Sequence, residues 1–143
     1  MKKVTVLVSV FMFTAIMLKD QCDKAIKWTS LKSEFLDTAG NLQQSREEKV
    51  EVTTTPQKIS IIIHDDSQEK HMEGNVSNYS CNWKNKQNGK MTFNSLLVDT
   101  DENKTRHASF TIEALNGKTT LILRAQEEAT VIRLNIDSSE EVK

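Results

Sequence analysis

Glycine and proline are scarce here: the chain has four glycines and one proline in 143 residues. Too few glycines remain to build a phosphate-cradling loop, and neither a nucleophile elbow nor a helical zinc-protease pair is present. Signature nucleotide-binding and hydrolase sites are thereby excluded, no catalytic residue is assigned, and no cofactor is implied. Charge of one sign is also lacking. The formal net charge is −1, with basic residues scattered among acids, which removes the electrostatic footprint expected of a nucleic-acid partner. Aromatic interleaving for stacking single strands is absent as well.

Long hydrophobic runs are missing except at the start. Met1-Lys2-Lys3 precedes an uncharged, largely apolar stretch from Val4 to Leu18, closed by Lys19 and Asp20. This is the charge-then-apolar pattern of a secretory leader. As a helix, the stretch would reach about 22 Å, short of the roughly 30 Å hydrocarbon core, so a membrane span is the poorer reading. The expected division is a signal peptide over residues 1–21 and one β-rich domain over 22–143, working in the periplasm or secreted, with a leader of bacterial type. Removing residues 1–21 takes away three lysines and one aspartate and moves the formal charge to −3. The residues before Cys22 are too polar for lipid attachment at that cysteine.

Only two cysteines occur, Cys22 and Cys81, and both fall in the expected exported part. In an oxidising compartment such a pair is expected to form a disulfide tying the start of the mature chain to its middle.

From Trp28 onward the chain is dominated by period-two alternation. Val50 and Val52, then Phe110, Ile112 and Ala114, then Ile132, Leu134 and Ile136, each place apolar groups on one face. The β-branched runs 59–63 and 119–123 are denser and are expected in the best covered part of the sheet. Asn116-Gly117 is the clearest hairpin turn, and Pro56 falls between runs. Eight strands are expected near 28–37, 42–54, 57–64, 71–83, 90–99, 106–115, 118–126 and 130–137, with a short helix around 22–27 and a frayed polar tail beyond Asp137. The fold class is therefore all-β: a single antiparallel meander forming a curled sheet or small barrel, with a β-sandwich as the alternative. The resemblance to lipocalins is one of architecture alone.

Few residues stand out as sites. Trp28, Trp83, Phe93 and Phe110 are candidates to line a ligand pocket inside such a barrel, against the simpler expectation that they fill the core. His64, Asp66 and His71 form the one cluster with metal-ligand chemistry, against the simpler expectation of a polar loop. Asp99, Asp101 and Asn103 open like a calcium loop, but Lys104 occupies the glycine position, so a solvated turn is expected. The functional expectation is a non-catalytic module binding a small apolar or amphipathic ligand. The alternatives are a structural or protein-interaction domain of the cell envelope, and then a metal-dependent hydrolase.

Overall fold

A computed structural model describes residues 20–143, so the leader expected over residues 1–21 lies outside the described residues apart from its last two positions. The described chain opens with one helical turn, α1 (Asp20–Asp23). Nine strands follow: β1 (Ile26–Leu36), β2 (Leu42–Thr54), β3 (Lys58–His64), β4 (Glu69–Asn85), β5 (Asn88–Asp99), β6 (Lys104–Leu115), β7 (Lys118–Ala125), β8 (Val131–Asn135) and β9 (Ser138–Glu141). Each strand from β1 to β7 pairs antiparallel with the next, and β1 pairs with both β2 and β8. The meander closes on itself. The result is a small closed barrel rather than the sandwich, and closure pairs most of the edge that an open sheet of this size would expose.

The tail beyond Asp137 is not frayed. Residues Ser138–Glu141 form β9, which pairs with Ile26–Thr29, while β8 pairs with Ser33–Leu36. β1 can serve both because β8 and β9 follow one register along the same edge, interrupted only at Ile136 and Asp137; on its other edge the pairing with β2 shifts register between Ser30 and Lys32. Asp137 stitches the junction: its N–H donates to the Thr29 carbonyl at 2.8 Å, and its carboxylate accepts the Leu31 N–H at 2.8 Å. Lys27–Glu140 and Lys24–Glu141 ion pairs lie across the β1–β9 seam.

Bulges also decide which side chains point inward. Along the first half of β4, Lys70, Met72, Gly74 and Val76 face the interior; beyond the irregularity at Ser77–Ser80 the inward positions are Tyr79, Cys81 and Trp83. Asn78 sits at φ 51°, the left-handed conformation that an extra bulge residue adopts and that asparagine tolerates. This one-residue shift aims Cys81 and Trp83 at the N-terminal segment. The Asn116-Gly117 turn has both residues at positive φ, 52° and 83°, as a two-residue hairpin requires.

The two ends of the barrel differ. At the end carrying α1, Trp28 stacks on Trp83 with ring centroids 6.0 Å apart, and Phe93 stacks on Phe110 at 4.9 Å. Ile26, Ile59, Met91, Ile112 and Ala114 belong to the same buried cluster. Trp28 Nε1 donates to Thr54 Oγ1 at 3.0 Å, which satisfies a polar group that would otherwise be costly inside the core. Cys22 and Cys81 form a disulfide, and the Tyr79 hydroxyl donates to the Cys22 carbonyl at 2.7 Å, fastening the N-terminal segment over this end. This end is solid.

Candidate functional site

The opposite end is open at its mouth, where Ile63, Met72, Leu123 and Ile132 are only partly buried, while Val50, Val52, Ile61, Leu121 and Leu134 beneath them are 1–4% exposed and join the packed core. Between the β1–β2, β3–β4 and β7–β8 connections the barrel opens into a cavity of about 520 Å³, within the range of about 300–1,000 Å³ usual for small-molecule sites. Its wall is apolar: Val50 and Val52 from β2, Ile61 and Ile63 from β3, Met72 from β4, Leu121 and Leu123 from β7, and Ile132 and Leu134 from β8. Phe35 of β1 lies higher, and the rim is polar, with Arg46, Glu48, Asp65, Lys70, Arg106 and Glu128. Alternation explains the wall, since each strand contributes the residues two apart that face inward.

The rim charges are partly tied to one another. Arg106 Nη1 lies 2.8 Å from Glu128 Oε1, and Lys70 Nζ lies 3.5 Å from Asp99 Oδ2. Burial works to raise the Asp99 carboxyl, but the N–H groups of Asp101 and Glu102 together with Lys70 hold it below the usual carboxylate range. Those bonds make 99–103 a structured turn, with Asn103 at φ 56°. The Arg46 guanidinium lies 5.1 Å from the Phe35 ring centroid, a cation–π contact at the mouth.

No protein-family model, curated protein or solved structure matches this chain. What the barrel can do therefore rests on its own geometry. An apolar well with charged groups at its lip can take up an apolar chain while leaving a polar head at the solvent boundary.

The aromatic candidates lie elsewhere. Trp28, Trp83, Phe93 and Phe110 are all buried in the solid end, stacked on one another, and none lines the cavity. Of the metal candidates, His64 and His71 sit on adjacent strands facing outward and converge on one carboxylate: His64 Nδ1 is 3.2 Å from Glu69 Oε1, and His71 Nε2 is 3.2 Å from Glu69 Oε2. Asp66 takes no part, its N–H donating instead to Asp65 Oδ1 in the β3–β4 turn. Among the described residues no group of three His, Cys, Asp or Glu could hold a metal ion.

Sequence reasoning did not single out Arg46, Glu48, Lys70 or Arg106. A signal for them existed. Each stands at an inward position of its strand, so a charge interrupts the apolar face near one end of β2, β4 and β6. That is where a filled core would want an apolar side chain and a solvated mouth would not.

Proposed function

We propose that this protein is an exported, non-catalytic binding module that takes a small apolar or amphipathic ligand into the open end of its barrel. The observation that carries the reading is the cavity of about 520 Å³ with an apolar wall and a charged lip. It stands above a floor filled with aromatic side chains and closed by the Cys22–Cys81 bridge. Burying an alkyl chain there is worth about 0.8 kcal/mol per methylene. Because the wall is held by the barrel ladders, little ordering offsets that gain. The disulfide is compatible with export to the periplasm or the medium, since such bonds persist in oxidising compartments.

Titration with an environment-sensitive hydrophobic dye, followed by displacement with dodecanol, tests the reading. The expected result is saturable dye binding, displaced by dodecanol and abolished in Leu123→Trp, which fills the well. Absence of saturable binding, or dye binding unchanged in Leu123→Trp, would sink it.

A second reading, a protein-interaction domain of the envelope, draws on β2. Residues Lys49–Thr54 pair with β3, but the stretch 42–48 has no ladder on that side among the described residues, while pairing with β1 on the other. An edge of this kind can accept an extended peptide.

A further inference from the structure

The charges at the cavity mouth leave a specific remainder once the internal pairs are removed. Arg106 is spent on Glu128 and Lys70 on Asp99. Arg46 has the Phe35 ring beneath its guanidinium, and no carboxylate pairs with it among the described residues. Glu48 is half-buried and Asp65 is exposed in the β3–β4 turn; both line the same cavity with no cation paired with them among the described residues, but only Glu48 shares β2 with Arg46.

Their order along β2 carries the argument. Arg46, Glu48, Val50 and Val52 all line the cavity, in that order along β2 from the lip downward, with the register shift against β1 falling between Glu47 and Val50. From the lip downward the wall therefore reads positive, negative, apolar, apolar. Arg46 leans outward to Phe35, which pairs with Gln44, one inward position nearer the lip. A plain fatty acid would leave Glu48 beside its carboxylate, and a plain alkylammonium would leave Arg46 beside its cation. Like charges at such a boundary cost affinity.

Resting on the binding-module reading, we infer that the ligand is a single-chain amphiphile with a zwitterionic head, its cationic group next to the chain and its acidic group outermost. The cationic group meets Glu48, the acid meets Arg46, and the chain enters between Ile63, Met72, Leu123 and Ile132, the partly buried apolar residues of the mouth. A guanidinium suits the outer position because its planar fork holds a carboxylate by two parallel bonds.

The test uses probes of one chain length, each below its micelle-forming concentration, competing for the dye site. They are dodecyl betaine (cation inside, acid outside), dodecylphosphocholine (the reverse order), dodecanoate, dodecyltrimethylammonium and neutral dodecanol. Dodecyl betaine is expected to bind about tenfold tighter than dodecanoate or dodecyltrimethylammonium, and about fivefold tighter than dodecylphosphocholine. Arg46→Gln and Glu48→Gln should each weaken dodecyl betaine about fivefold while leaving dodecanol unchanged. If dodecanol binds but the charged probes are not ranked this way, or the two variants leave dodecyl betaine unaffected, the head-group inference fails and the apolar well stands. If dodecanol itself does not bind, both readings fall together.

Discussion

Truncating Phe110 and Leu123 in parallel tests whether the barrel interior is divided into a solid floor and an open mouth. The two residues are directly opposed on adjacent strands, with Phe110 of β6 paired to Leu123 of β7, and both point inward. They differ in what lies beyond them. Phe110 is 1% exposed and stacks on Phe93 at 4.9 Å, so Phe110→Ala removes a ring from a close-packed floor and leaves a void. Such a change costs about 3–5 kcal/mol. Leu123 is partly buried and faces the cavity, so its inner side has no packed atoms to lose. Leu123→Ala removes about 0.8 kcal/mol per methylene-sized group from an incompletely buried site, a total of about 1–2 kcal/mol. Urea unfolding followed by tryptophan fluorescence reads both, because Trp28 and Trp83 lie in the floor and report its loss. At about 4 °C per kcal/mol for a domain of this size, the melting temperatures should fall by about 12–20 °C and about 4–8 °C. Equal losses for the two variants, with equal m-values, would refute the division.

Three further outcomes follow from the structure. Replacing Cys22 and Cys81 by serine opens a loop spanning 59 residues and is expected to cost up to about 4 kcal/mol in chemical denaturation, with the barrel still formed by circular dichroism. Gly74→Ala should destabilise by about 1–3 kcal/mol, because a Cβ there would meet the Leu96 backbone carbonyl oxygen at 2.5 Å and Ser95 Oγ at 2.3 Å; an alanine tolerated without loss in a thermal melt would contradict that close approach. Glu34 is buried, and the Arg133 guanidinium, bonded at 3.2 and 3.3 Å, with the Asn135 amide holds its carboxyl below the usual range although burial opposes them. A lowered folded-state pKa contributes stability above the unfolded-state value and loses it as pH falls through the folded value. The stability gap between wild type and Glu34→Gln should therefore be about 1.5–3 kcal/mol at pH 7 and close as the pH drops below about 4, which urea unfolding across pH would show.

Most of the strand framework was legible because alternation and turn chemistry are local. The run from 42 to 54 and the Asn116-Gly117 hairpin fall where the sequence places them, and β3, β5, β6 and β7 differ only at their ends. β9 was illegible for a physical reason: Ser138–Glu141 is exposed, carries no apolar alternation, and is held by backbone pairing to β1 and ion pairs to Lys24 and Lys27. The change of facing at Asn78 was hidden because a bulge moves every later side chain across the sheet without altering composition. The cavity was misplaced for a related reason. Large aromatic rings suggest a pocket lining in a linear sequence, yet in three dimensions Trp28, Trp83, Phe93 and Phe110 stack into the floor, while smaller β-branched and leucine side chains leave the space above it open.

Methyl-resolved NMR of the isotope-labelled protein titrated with dodecanol tests the central claim most directly, because it reports where a chain enters. Shifts confined to Ile61, Ile63, Leu123 and Ile132, with Ile26, Ile59 and Ile112 unmoved, are the predicted result. Shifts in the floor, shifts spread over the outer surface, or none at all would contradict a barrel that is open only at its mouth.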